Sequence, residues 1–287
     1  MAVKIQTIKD IKRYLLEELT GFYPETEISA FANIIRDRLH LTGQQLLAFP
    51  EKPLPGKQAS EIVAICKELK TGKPIQYVLG ETCFFNCTIT LDASTLIPRP
   101  ETEELVDLIL KENRGYNGLI IDIGTGSGAI AIALAVNLPG SMVTATDISA
   151  EALKKAGENA ALNNVNVQFI ESDIFNSETD LFTPAGIIVS NPPYVRESEK
   201  KNMHQNVTGF EPHSALFVPD SEPLRYYSAI LRFAEKMLED NGRVYFEINE
   251  ALWQEMNDLM HSMRYSDVRV REDINGKKRF ITGIKNG

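Results

Sequence analysis

Two stretches of this sequence carry residues whose types and spacing can do chemistry. In IIVSNPPYV, residues 187–195, an apolar run of strand character stops on Asn191, Pro192, Pro193 and Tyr194. The prolines remove two backbone N–H donors and fix φ, so a central strand cannot continue through them. Asn191 precedes a proline and is held extended. The result is a stiff ledge with an amide side chain, carbonyl acceptors and one aromatic face. Such a ledge suits a flat polar group. Its two N–H atoms would meet the Asn191 oxygen and the Pro192 carbonyl, and its face would meet the Tyr194 ring.

The second stretch is IIDIGTGSGAI, residues 120–130. Gly124, Thr125, Gly126, Ser127 and Gly128 are small enough for the backbone to approach a ligand, and the helix that follows offers free N–H groups. Gly124, Gly126 and Ala129 satisfy the dinucleotide pattern, with Asp147 about twenty residues on, ready for a ribose hydroxyl. Asp122 separates two cofactor readings. An acid aimed at the ligand repels a pyrophosphate but suits a sulfonium or an ammonium group. A third strand-end acid, Asp173, followed by Ile174, is placed to accept from an adenine amino group. The expected cofactor is S-adenosylmethionine; a nicotinamide oxidoreductase shares the glycine loop but leaves Asp122 and the proline ledge without a purpose.

These groups need a frame. From GLIIDIG onward the chain alternates strand and helix, as in βαβ units with a parallel sheet. SMVTATDI, VQFIESDIF, AGIIVSN and GRVYFEIN follow as strands, the last after a helix reading PLRYYSAILRFAEKMLED. YSDVRVRED and KRFITGIK are two more, around the turn signal Asn275-Gly276. Ahead of this lie IPRPETEELVDLILKE, a helix with Pro100 in its first turn, and FFNCTITLDASTLI, which alternates as a hairpin. Arg99 and Glu101 are expected to shape the pocket, although Glu101 also suits the positive end of its helix. IKRYLLEEL, EISAFANIIRDRLHL and SEIVAICKELKTG read as short amphipathic helices, with AFPEKPLPGK as a loop between them. The expected division is a helical domain over 1–75, a hairpin linker over 76–98 and a catalytic domain over 99–287.

Composition narrows the classes. The net charge is −9, and its sign is uneven. Residues 1–80 hold 11 Lys and Arg against 9 Asp and Glu, and the remaining 207 hold 19 against 30. A protein that grips duplex DNA carries a basic footprint, so the acidic half holding the ledge argues against that partner. Cys66, Cys83 and Cys87 form no zinc pattern, and three cysteines suit a reducing compartment. The four histidines are scattered, and the expected chemistry needs none; Trp253 reads as packing. No apolar run reaches membrane-spanning length, and MAVKIQTIKD lacks a signal-peptide core. A cytoplasmic, monomeric protein is expected.

Asp-x-Gly-x-Gly-x-Gly after a strand, a strand-end acid and a later Asn-Pro-Pro-Tyr resemble the class I S-adenosylmethionine-dependent methyltransferases that alkylate planar nitrogens. Adenine-N6 DNA methyltransferases share the last motif. PIQYVLGETCFF, LIPRPETEELV, SNPPYV and FEPHSALF together look like the HemK/PrmC family, protein-(glutamine-N5) methyltransferases of peptide-chain release factors. That resemblance covers essentially the whole chain. It implies an α/β class I fold, Rossmann-like, with a seven-stranded mostly parallel sheet, a small N-terminal helical domain and a linking β-hairpin. It also implies the glutamine of a Gly-Gly-Gln loop in class I release factors as target, held by Asn191, Pro192, Pro193 and Tyr194. Gly124 to Gly128 would cradle the methionyl part of the cofactor, Asp147 its ribose, and Asp173 and Ile174 its adenine, with Asn191 at the boundary of cofactor and substrate. The chain departs from the family at FVPDSEPL, residues 217–224, and at Asn249, where the family tends to carry glycine.

Overall fold

The structure, a computed structural model, describes residues 5–41 and 43–287. The chain opens with helices α1 (Asp10–Leu19), α2 (Glu25–Arg38), α3 (Gly43–Ala48), α4 (Gly56–Leu69) and α5 (Ile75–Leu79). A hairpin of β1 (Glu81–Phe84) and β2 (Cys87–Thr90) and helix α6 (Pro100–Glu112) follow. Then come β3 (Leu119–Ile123), α7 (Ala129–Asn137), β4 (Met142–Asp147), α8 (Ala150–Leu162), β5 (Gln168–Glu171) and β6 (Ala185–Ser190). The last third holds β7 (Val195–Arg196), α9 (Gln205–Phe210), β8 (Phe217–Val218), α10 (Arg225–Met237), β9 (Leu238–Glu247), α11 (Trp253–Ser262), β10 (Tyr265–Glu272) and β11 (Lys278–Lys285). Two compact units result, one made of the chain up to Leu79 plus α9, the other of Gly80–His204 and Glu211–Gly287.

The smaller unit is built from helical stripes. Ile11, Leu15 and Leu19 of α1, Ile28, Ala32 and Ile35 of α2, and Ile62, Ile65 and Leu69 of α4 recur at three- and four-residue steps and form one buried cluster, as amphipathic helices must. Helix α5 has five residues, too few for a periodic pattern to announce it.

In the larger unit seven strands form one sheet in the order β10-β11-β9-β6-β3-β4-β5. Its four pairings from β9 to β5 are parallel, while β11 pairs antiparallel with both β9 and β10. Strands β3 and β6 are buried at nearly every residue, because helices cover both faces. The first six residues of helix α7 are all buried, which is why AIAIAL shows no polar stripe; its last turn reaches the surface at Val136 and Asn137. The chain runs outward from β3 through β4 to β5, then returns to place β6 on the other side of β3. That reversal opens a crevice at the carboxyl ends of β3 and β6, where open α/β sheets bind ligands.

Two local features depart from the periodicity. Helix α10 ends at Met237, and Leu238 is already strand, paired with Ala185, so the helix is shorter than its apolar pattern suggests. The hairpin turns on Phe85 and Asn86, both at positive φ (47° and 63°). A phenylalanine rarely adopts this conformation; here its N–H donates to Glu103 Oε1 at 2.7 Å.

Candidate active site

The segments that leave β3, β4, β5 and β6 enclose a cavity of about 600 Å³, entirely within the larger unit. Its base is fixed by the sheet. Ile123 and Ser190 are register partners on adjacent strands, and the Ser190 hydroxyl donates to the Ile123 carbonyl at 2.7 Å. Each sequence motif therefore leaves the sheet beside the other.

The glycine loop forms one wall. Gly124, Gly126 and Gly128 have φ of 72°, 56° and 82°, a region that glycine enters without strain. The N–H groups of Gly124 and Thr125 both donate to the Thr146 carbonyl at 2.9 Å, which bends the loop over the end of β4. A Cβ added at Gly124 or Gly126 would meet no protein atom, whereas one at Gly128 would come within 3.0 Å of Ala156 Cβ and Ile132 Cδ1. The first two glycines keep space open for a ligand, and the third lets α8 approach α7.

The strand-end acids divide into two kinds. Asp147 lines the cavity. Its Oδ2 accepts from the Gly126 N–H at 2.8 Å and its Oδ1 from the Ser149 N–H at 3.0 Å, and each oxygen keeps a further lone pair. Burial raises its pKa above the ordinary carboxylate value, and those N–H donors partly offset the rise. Asp122 is different. It is fully buried and is not part of the cavity wall. The expectation that it faces the ligand is therefore corrected: it lies beneath the loop, accepting from Thr125 Oγ1 at 2.6 Å. Desolvation pushes its pKa up to about 7, against the Thr125 hydroxyl and the Ala131 N–H, which hold it down. Asp173 and Ile174 both line the cavity. The Asp173 carboxylate is already engaged in its own turn, with the Phe175 N–H at 3.0 Å and the Asn176 amide at 2.9 Å. Phe175 and Tyr226, which the sequence did not single out, add two rings to this end, with centroids 5.0 Å apart.

At the ledge, Asn191, Pro192 and Pro193 line the cavity. Tyr194 does not; its half-buried ring packs on the core of the sheet, and its hydroxyl donates to Glu247 Oε1 at 2.8 Å. The ring that was expected to stack on the target packs on the core and is not among the wall residues. Asn249 holds this turn, its amide donating to the Tyr194 carbonyl at 3.1 Å and to Glu199 at 3.0 Å. Asn191 Nδ2 donates to Thr102 Oγ1 at 3.1 Å, and Thr102 Oγ1 donates to Glu247 Oε2 at 2.7 Å. Burial raises the Glu247 pKa, while the Thr102 and Tyr194 hydroxyls and nearby Arg279 hold it down. Arg99 lines the cavity too; it pairs with buried Glu211 at 2.5 Å, and Glu211 also takes the Ile97 N–H at 3.2 Å. This clasp sets Pro212, Ser214 and Ala215 along the wall. Glu101 is not part of the wall.

Thr102, Glu247 and Glu211 were not singled out from the sequence. Thr102 carried a usable signal: it stands three, four and seven residues before Leu105, Val106 and Ile109, on the buried face of α6. Glu247 ends a strand, the same position that marks Asp147.

The cavity at a topological switch point, two glycines whose missing side chains leave it open, and an acid on the next strand end fit S-adenosylmethionine. This fold and site define a class I S-adenosylmethionine-dependent methyltransferase. Residues 101–209 match the methyltransferase small domain and residues 10–80 the PrmC N-terminal domain. The chain is 44% identical over 279 residues to a release factor glutamine methyltransferase of Flavobacterium psychrophilum, covering 96% of this chain and 98% of that one. It is 42% identical to the protein of that name from Bacteroides thetaiotaomicron, covering 95% and 98%. A methyltransferase from Pyrococcus furiosus shares the fold at TM-score 0.54 and 18% identity, over 81% of this chain and 100% of that one. The chain belongs to the release factor glutamine methyltransferase family. Among the described residues no helix is long and apolar enough to cross a membrane, and no cluster of side chains could hold a metal ion.

Proposed function

We propose that this enzyme methylates the side-chain nitrogen (N5) of the glutamine in the Gly-Gly-Gln loop of class I release factors, within the cytoplasm and as a monomer, and so tunes translation termination. The observation that carries this reading is Asn191, which lines the cavity with its Nδ2 anchored on Thr102 and no hydrogen bond to its Oδ1 among the described residues. A carboxamide nitrogen is a weak nucleophile because its lone pair is delocalised into the carbonyl. Asn191 Oδ1 accepts one N–H of the target amide and the Pro192 carbonyl accepts the other, which aims the nitrogen into the cavity. The two prolines keep both acceptors stiff, so little reorganisation is needed when the amide arrives. When bound, S-adenosylmethionine supplies the methyl electrophile and leaves as S-adenosylhomocysteine. The loop Gly124–Gly128 and Asp147 hold its amino-acid and ribose parts, Asp173 and Ile174 border its adenine, and buried Asp122 supports the loop from beneath through the Thr125 hydroxyl. Tyr194 acts from behind, through Glu247. The helical unit is assigned to the body of the release factor, in keeping with its match to the PrmC N-terminal domain.

The test is transfer of labelled methyl groups to a purified release factor, with its Gly-Gly-Gln glutamine changed to alanine as control and duplex DNA in parallel. Label on the intact factor alone is expected. Label on DNA would replace this reading with adenine-N6 methylation, which the net charge of −9 disfavours.

A further inference from the structure

An asparagine amide is nearly symmetric in shape, yet only one of its two orientations serves the proposed reaction. With Oδ1 toward the cavity it accepts from the target amide; with Nδ2 there it would present a donor to a donor. Something must decide between them, and shape alone cannot.

We infer that Thr102 and Glu247 are positioning residues that set this orientation by fixing the direction of a hydrogen-bond chain. Thr102 Oγ1 has a single proton. Glu247 is 1% exposed and takes two hydroxyl donors, Thr102 at Oε2 (2.7 Å) and Tyr194 at Oε1 (2.8 Å), the arrangement of an accepting carboxylate. A carboxylate only accepts, so the Thr102 proton is committed to it. The Thr102 oxygen is then left as an acceptor facing Asn191, and Nδ2 must turn toward it, as the 3.1 Å contact records. Oδ1 is delivered to the cavity as a consequence. Tyr194 supports the same direction by filling the second carboxylate oxygen, which gives its hydroxyl a purpose that stacking would not. Polarity thus runs from a buried charge on β9, through a helix residue, to the ledge. The inference rests on the reading of Asn191 as the acceptor of the target amide.

The test reverses the chain without removing it. In Glu247→Gln the Tyr194 hydroxyl keeps an oxygen partner, and the new NH₂ donates to Thr102. The threonine proton then points at Asn191 and draws Oδ1 away from the cavity. Packing is conserved, so a merely structural role would be served equally well. Expected is a fall in kcat on the release factor of about 10²-fold, the scale of a misdirected reacting group, with the affinity for S-adenosylmethionine kept within about threefold. Thr102→Val, which keeps shape but breaks the chain, should lose about 10-fold or more in kcat, and Thr102→Ser should recover most of it. A substrate-free readout accompanies these assays: the Asn191 side-chain NH₂ signal in a ¹⁵N spectrum, assigned by its absence in Asn191→Ala. It should exchange slowly in the natural protein and faster in Glu247→Gln.

Normal turnover in Glu247→Gln or Thr102→Val, or loss of cofactor binding parallel to the loss of turnover, would overturn the inference. An unchanged NH₂ signal in Glu247→Gln would do so even if the release factor proved not to be the substrate. Failure of the natural enzyme to label the factor would refute the proposed function instead.

Discussion

Asn159 offers a quantitative test of what shapes the cofactor loop. It is fully buried on α8 and uses all four of its hydrogen-bonding positions. Its Oδ1 accepts from the Thr90 N–H at 2.8 Å and the Thr90 hydroxyl at 2.6 Å, and its Nδ2 donates to the Thr90 carbonyl at 3.0 Å and the Ser127 carbonyl at 2.9 Å. One amide therefore ties the hairpin to the glycine loop. Asn159→Leu keeps the volume but strands three backbone groups. Water can reach those of Thr90, whereas the Ser127 carbonyl is shut in. At about 1–3 kcal/mol for each group left unpaired, with the lower end for the two that rehydrate, the loss is about 4 kcal/mol. With a urea slope of about 2–3 kcal/mol per molar, the midpoint should fall by about 1.5 M. Trp253 is the single tryptophan of the chain and lies in the larger unit, so its fluorescence follows the unfolding of that unit without interference from the helical one. Asn159→Asp adds a control on direction. A carboxylate facing two carbonyls has a folded pKa above its unfolded one, so this variant should regain stability as pH falls below the raised value. A midpoint shift under about 0.3 M for the leucine variant would mean the four bonds contribute almost nothing, against the net strength assumed for buried pairs.

Three further outcomes are expected. Asp122 has a folded pKa of about 7 against an ordinary value of 3.8, so the native state binds the extra proton and this group's contribution to stability declines as pH rises from about 4 to 7; the gap corresponds to on the order of 4 kcal/mol. Asp122→Asn should abolish that slope in urea midpoints taken from pH 4.5 to 8, and parallel profiles would refute the assignment. Gly128→Ala forces a side chain into φ 82° against Ala156 and Ile132, so calorimetry should show a loss of about 3 kcal/mol and weaker cofactor binding. Glu211→Gln weakens the clasp on Arg99 and should lower stability by about 2 kcal/mol in the same Trp253 titration; an unshifted midpoint would show that the clasp carries no load.

The parts legible in the sequence are those whose signal is local. The glycine loop announces itself because a tight bend beneath a ligand admits few residue types, and the ledge because prolines stop strands. Strand alternation located β3 to β6, and the Asn275-Gly276 turn separated β10 from β11. The residues that were not legible act across elements. Thr102 and Glu247 lie 145 positions apart and meet only because α6 packs beside the end of β9. Asn159 stands on the same face of α8 as Ala152, Ala156 and Ala160, and its meaning depends on a hairpin sixty-nine residues upstream. A polar residue on an otherwise apolar helical face was the available cue in both helices. Asp122 shows the converse. Its position beside the loop suggested contact with the ligand, but the pleat of β3 sends its side chain inward, and no spacing rule distinguishes a wall residue from one beneath it.

The short parallel pair β7–β8 has a consequence for how such a chain can vary. Val195 and Arg196 pair with Phe217 and Val218, so the segment between them leaves and returns at neighbouring points directly after the ledge. The N–H of Val195 donating to the Leu216 carbonyl at 3.0 Å, and the Ser198 N–H donating to Asp220 at 3.0 Å, close this excursion on itself. Once its ends are pinned, doubling the length of such a loop adds only about 0.6 kcal/mol of closure entropy. Between residues 201 and 204, clear of Glu199, which takes the Asn249 amide, and of the Glu211 clasp, insertions can therefore accumulate without moving Asn191. In a lineage whose protein partners drift, these few residues can change length while the ledge stays fixed.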